Sequence, residues 1–163
     1  MFLPLAKFGS IEDLGLNLRW DALTLAGEVE RRAGVLSQMK IGRGSIVAIA
    51  HPGSVHFFGD LFAVWATGAT AACLDGSLTE TEVEAILDFA KPAALLVAGV
   101  RTESRLSVPV LELGRASPAA PLANSGFELD DPALILFTSG TTGALVSPRA
   151  LQLTAWTFRI FDS

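Results

Sequence analysis

The chain has 163 residues and a mass of 17.1 kDa, enough to bury one core and too little to require two. With 50% hydrophobic residues, 18% charged residues and a mean hydropathy of +0.46, it must hold either a heavily buried sheet or a membrane span. A formal charge of −5 and a pI near 4.9 argue against nucleic acid as a partner, because a phosphate backbone is bound by clustered Lys and Arg.

Segment length decides between sheet and membrane. The longest apolar stretch, 57–74, contains Asp60 and is interrupted by Gly59 and Gly68, whereas a spanning helix needs about 20 uninterrupted apolar residues. No membrane span is expected. The opening Met1 to Phe8 has a proline and a lysine but no extended apolar core followed by a small-residue cleavage site, so no secretory signal is read and the cytoplasm is the expected compartment. Cys73 is the single cysteine; it forms neither an internal disulfide nor a cysteine-based zinc site, and a packed thiol is expected.

In chain order, Thr24 is placed to cap a helix whose Ala26, Val29, Ala33 and Leu36 fall on one face, with Glu28, Glu30, Arg31 and Arg32 on a solvated face. Gly42 and Gly44 mark a turn before a strand over 45–50, rich in Ile and Val without polar alternation, as expected where both sides are buried. Ser54 opens a second helix with Val55, Phe58, Phe62 and Trp65 along one side and Leu61 and Val64 beside them, apolar nearly all round and so needing cover on several sides. Gly68 ends it, a strand follows over 69–74, and Asp75-Gly76 makes a turn. Thr79 and Glu82 have the spacing of a capping box for a third helix carrying Val83, Ile86, Leu87 and Ala90 inward, stopped by Lys91-Pro92 before a strand over 93–98. A further strand is read over 108–113, and 114–126 has the Pro, Gly, Ala and Ser content of an exposed linker. Strand and helix alternating through short links build a mostly parallel sheet covered on both faces, an α/β three-layer sandwich.

Asp130-Asp131-Pro132 leads into a strand over 133–137, followed at once by Thr138, Ser139, Gly140, Thr141, Thr142 and Gly143. Small hydroxyl residues and glycines at the carboxyl end of a buried strand let backbone N–H and side-chain O–H groups converge on a polyanion, with triphosphate the obvious guest. Ser147 and Pro148 are suited to the cap and first turn of a helix, so the loop is expected between strand and helix. No Gly-Lys-Ser/Thr of a Walker loop follows, and the three spaced glycines of a dinucleotide fingerprint are absent.

The string TSGTTG after DDPALILF resembles the signature loop of the adenylate-forming, or AMP-binding, superfamily, which includes acyl-CoA synthetases, luciferases and the adenylation domains of peptide synthetases. Upstream, ATAACLDGSLTETEVEAILDFAKPAALLV is similar to the family's strand, capped helix and Lys-Pro before the next strand. The resemblance implies that residues 1–163 are a single partial domain, the amino-terminal part of the large domain of an acid–thiol ligase. It implies that Thr138, Ser139, Thr141 and Thr142 contact phosphate oxygens while Gly140 and Gly143 permit the turn, with no catalytic residue and no metal ligand in this chain. The implied reaction is that of an ATP-dependent carboxylic acid:CoA ligase, as in fatty acid metabolism: acid and ATP give an acyl-adenylate, which passes to the thiol of coenzyme A or a carrier protein, with Mg2+ screening the phosphates. The remainder of the same enzyme, or self-association through apolar surface, would complete the partners.

The sequence departs from its family after Gly143. There the family continues with one residue and Pro-Lys-Gly, whereas Ala144, Leu145, Val146 and Ser147 follow here, Pro148 stands where histidine is common, and no lysine occurs after Lys91. Either residues are deleted from the loop, or a mobile stretch is missing from the recorded sequence; the second is expected, since such loops move without nucleotide. The rival to a ligase is a catalytically inactive remnant serving as a binding or scaffold module, which the missing lysine favours. His51, His56, the Trp and Phe residues and the acidic runs are read as structural.

Overall fold

The computed structural model describes Leu5, residues 9–99, 106–116 and 130–137, and the backbone of 143–146. It opens with an antiparallel hairpin of β1 (Ser10–Asp13) and β2 (Leu18–Asp21), in which Ser10 faces Asp21. The sequence reading missed this hairpin: four-residue strands give too little alternation to stand out, although Leu18 and Trp20 do fall on one side and Trp20 is buried. Helix α1 (Ala22–Gln38) follows immediately, so Thr24 lies inside the helix rather than capping it. Asp21 is the cap, its Oδ1 accepting from the Thr24 amide at 2.8 Å. Leu25, Val29, Ala33 and Leu36 form the buried stripe.

The remaining elements build one sheet: β3 (Ile46–Ile49), α2 (Val55–Ala66), β4 (Thr70–Cys73), α3 (Glu80–Ala90), β5 (Ala94–Leu96), β6 (Val110–Leu111), β7 (Leu134–Phe137) and β8 (Gly143–Val146). The strand order is β6-β5-β3-β4-β7-β8, parallel except for the β7–β8 pair. Alternate residues of the central strands feed different layers. Val47, Ile49, Ala94 and Leu96 pack with α1 and α2, whereas Ala48, Leu95 and Val97 pack with Val83 and Leu87 of α3. This is the three-layer α/β sandwich with a mostly parallel sheet, the fold class the sequence implies.

Local chemistry sets each helix end. Ser54 Oγ caps α2 by accepting from the Phe57 amide at 3.2 Å, and Gly68 leaves it at φ 80°, a conformation that disfavours a side chain. Thr79 and Glu82 form the expected reciprocal capping box on α3, and Lys91 ends that helix in the left-handed conformation. Most of α2 is buried because α1, the sheet and the β1–β2 hairpin surround it, the cover that an all-round apolar helix requires. The last strand before the connector is shorter than expected, two residues rather than 108–113. The start of the expected linker is packed: residues 113–115 form a 3₁₀ turn with Leu113 buried, and Arg31 donates to the Leu113 and Ala116 carbonyls at 2.9 and 2.7 Å. Residues 117–129 of that linker lie outside the described residues. Among the described residues, no helix is long and apolar enough to cross a membrane.

Candidate functional site

Strand β7, which leads toward the hydroxyl-rich loop, is pinned where it enters the sheet. The Ala133 carbonyl accepts from the Ala71 amide at 2.9 Å and from the Trp65 indole at 2.7 Å, and the Pro132 carbonyl accepts from the Thr70 hydroxyl at 2.8 Å. Trp65 near the end of α2 and Thr70 at the start of β4 thus fix the register of β7 directly. Arg43 adds an ion pair to Asp131 at 2.9 Å; being exposed, it contributes little stability of its own.

The chain leaves β7 at Phe137 and re-enters the sheet at Gly143, directly opposite, with Leu134 facing Val146 at the far end. The element directly after the loop is therefore an antiparallel strand; the helix expected from Ser147 and Pro148 lies outside the described residues. Runs such as 143–146 are too short for periodicity to separate strand from loop, and only pairing with β7 defines this one. Of the predicted site residues, Gly143 opens β8; Thr138, Ser139, Gly140, Thr141 and Thr142, like Ser147 and Pro148, lie outside the described residues. In the sequence, five residues, 138–142, separate β7 from β8.

Because β3, β4 and β7 are parallel, their carboxyl ends lie along one edge of the sheet, with β4 between the other two. After β3 the chain turns to α2 on one face, and after β4 to α3 on the other. Diverging connections of this kind open a crevice outside the strand ends, the place where open α/β sheets bind ligands. Cys73 ends β4 at this edge, but burial pushes its thiol up to about 11, so it remains protonated and is no nucleophile at neutral pH. Asp75, just beyond, accepts from the side chain and amide of Ser77, which hold its carboxyl below the usual range.

A second polar group lies beneath this edge, where the sequence suggested only a solvated helix face. Arg32 of α1 is buried, with 1% of its surface exposed, and pairs with the equally buried Asp60 of α2. Its guanidinium also donates to Glu28 Oε2 at 3.1 Å and approaches His56 Nδ1 at 3.1 Å. Asp60 Oδ2 in turn lies 3.0 Å from Nε2 of the buried His51, which follows β3. Among the described residues, no buried side-chain nitrogen or oxygen lacks a partner. The sequence did carry the signal: Asp60 sits in a helix otherwise apolar on every side, and a buried carboxylate demands a cation.

Comparison with known proteins decides the family. A family model described as AMP-binding enzyme matches residues 23–145. The chain belongs to the AMP-binding enzyme family. Among its relatives, the hybrid PKS-NRPS synthetase xenE of Xenoacremonium sinensis is 37% identical over 132 residues, covering 76% of this chain and 3% of that protein. The fatty acid–[acyl-carrier-protein] ligase MmaC of Mycobacterium marinum is 30% identical over 151 residues, 82% of this chain and 28% of the ligase. Apo MatB of Rhodopseudomonas palustris shares the fold, with a TM-score of 0.79 at 21% identity over 90% of this chain and 33% of that one. The AMP-binding chain thus spans about a quarter of the ligase and a few per cent of the synthetase.

The donor set of this AMP-binding chain matches phosphate in kind. Three threonines and a serine at 138–142 offer hydroxyls, and two glycines allow close backbone approach. What the segment 138–148 lacks is any Lys or Arg; no lysine follows Lys91, and the next cation in the sequence is Arg149. Among the described residues, no group of three His, Cys, Asp or Glu side chains converges to hold a metal ion.

Proposed function

We propose that residues 1–163 are a single partial domain, the amino-terminal part of an ATP-dependent acid–thiol ligase acting in the cytoplasm, in which Thr138, Ser139, Gly140, Thr141, Thr142 and Gly143 cradle the phosphates of ATP. The observation that carries this reading is the family match running from residue 23 to residue 145, through the TSGTTG string. ATP supplies the leaving pyrophosphate, and Mg2+ offsets its charge. The chain's own part is to orient the phosphates with hydroxyl and amide donors held at the end of a strand that Trp65 and Thr70 fix in register. The acid is activated as an acyl-adenylate and passed to a thiol. A carrier-protein thiol is favoured over coenzyme A as acceptor, because the relatives include acyl-carrier-protein ligases and multidomain synthetases. The test is ATP–pyrophosphate exchange by the protein as its gene encodes it, across a panel of fatty and aromatic acids. Acid-dependent exchange that Thr141→Ala reduces tenfold or more supports the assignment; exchange indifferent to Thr141 and Thr142 removes it.

The absent Pro-Lys-Gly favours a second reading, a remnant that no longer adenylates and acts as a binding or scaffold module. Losing a single preorganised donor from an oxyanion hole costs roughly 2.7–4 kcal/mol, and loss of a cation facing the departing pyrophosphate would likewise slow the reaction. Under this reading the encoded protein shows no exchange with any acid.

A further inference from the structure

The buried polar group around Arg32 contains two histidines, and their contacts answer acid differently. An arginine guanidinium carries only donors and does not deprotonate. The 3.1 Å approach of Arg32 Nη2 to His56 Nδ1 therefore requires Nδ1 to be the acceptor, with the imidazole neutral. A proton added at Nδ1 removes the acceptor and sets two cations face to face. His51 is placed otherwise. Its Nε2 donates to the Asp60 carboxylate at 3.0 Å and its Nδ1 faces the Pro52 carbonyl at 3.4 Å, so a second proton leaves both contacts intact.

His56 also touches the amino-terminal hairpin. Its ring meets Trp20 edge to face with centroids 5.3 Å apart, and the Arg32 guanidinium lies 5.4 Å from the centre of the same indole. Trp20 is the buried anchor of β2, and it packs so closely on α2 that a Cβ at Gly59 would come within 2.9 Å of it. The charges around His56 come from every side. Arg32 faces it from α1 with Glu28 and Arg31 behind, Asp60 lies on its own helix, and His51 on the preceding loop. The 3₁₀ turn brings the backbone of Gly114 close, while Glu112 and Arg115 of that turn pair with one another. Burial is the first influence holding His56 below its ordinary value, the Arg32 charge the second, and the acidic groups only partly offset them. Since His56 is only half-buried, water can reach it and its ring has somewhere to go.

From this placement we infer that the His56–Arg32 contact is an acid-sensitive latch: a proton from solvent expels the His56 ring from Arg32 and Trp20 and loosens the β1–β2 hairpin from α2. Arg32 is held on its other side by Asp60 and Glu28, so the histidine is the partner that moves. The latch is closed above the ordinary histidine value, where His56 is neutral in any state, and opens as pH falls below it. Hydrogen–deuterium exchange of the whole chain at about pH 7.5 and about pH 5, corrected for intrinsic rates, tests it. Protection of amides 10–21 falls several-fold at the lower pH, while β3 and β4 amides hold theirs. His56→Asn, whose Oδ1 accepts where Nδ1 did, keeps the hairpin protected at both pH values. Hairpin protection unchanged by acid, or lost equally in His56→Asn, overturns the latch. If that variant does not fold, the wild-type protein decides by NMR: a Trp20 indole resonance that shifts with His56 titration supports the latch, and one that stays fixed overturns it.

Discussion

Arg32 has one unpaired alternative and it is costly. Replacing it with methionine leaves Asp60 buried without its cation, and breaking such a pair from one side destabilises by about 3–5 kcal/mol. Replacing both partners by apolar residues of similar size, as in Arg32→Met with Asp60→Leu, is expected to recover only part of that loss: the ion pair's buried charges are gone, but the buried His51 Nε2 loses its Asp60 acceptor. Urea unfolding of the two single variants and the double variant measures the difference as a shift in midpoint at constant slope. Gly59→Ala acts on the same contact from the other side: the new methyl meets the rigid rim of the Trp20 ring at 2.9 Å and the Arg32 guanidinium at 3.1 Å. Overpacking of this kind costs about 1–3 kcal/mol, seen in the same experiment.

At the scale of elements, helix caps carry the pH dependence on the acid side. Hydrogen bonds from the side chain and amide of Thr79 hold Glu82 below its ordinary value of 4.5, and the Thr24 amide does the same for Asp21. A depressed carboxylate stabilises the fold above its unfolded value and ceases to do so as pH falls through its folded value. Acid unfolding should therefore begin below about pH 4.5 through these groups, later than any loosening of the hairpin. Thr79→Ala removes the hydroxyl that donates to the Glu82 carboxylate and accepts from the Glu82 amide while the backbone amide of residue 79 still donates to Glu82; it lowers stability by about 1 kcal/mol and shallows that acid limb, which circular dichroism against pH records. The pin on β7 belongs to this scale too. Trp65→Phe takes away the indole donor to the Ala133 carbonyl and leaves a void in the core, so it should lower the melting temperature and weaken ATP binding in the encoded protein.

For the molecule as a whole, the proposed ligase and the remnant reading part at the segment after Gly143, where Pro-Lys-Gly is absent. Inserting Pro-Lys-Gly there restores a lysine next to the proposed phosphate loop. Pyrophosphate exchange should rise tenfold or more if the rest of the site is intact, and stay at background if the remnant reading holds. The apolar surface makes an independent prediction. Leu14, Leu23 and Phe89 are each at least 75% exposed, and β7 turns Leu136 outward. Residues 1–163 expressed alone are expected to self-associate on light scattering, and a monodisperse monomer would show that this surface is not an interface.

Composition and short-range pattern were enough for the layered parallel sheet, the caps at Ser54 and Thr79 and the stops at Gly68 and Lys91, while the family followed from the resemblance carried by TSGTTG. These depend on residues within a turn or two of each other, where spacing alone decides which groups meet. The amino-terminal hairpin, the strand after the loop and the burial of Arg32, Asp60 and His51 depended on partners 28 or more residues apart in the case of the ion pair and on strand pairing in the others. A charge on a helix looks solvated until another helix packs over it, and a four-residue strand has no identity until a neighbour completes its hydrogen bonds.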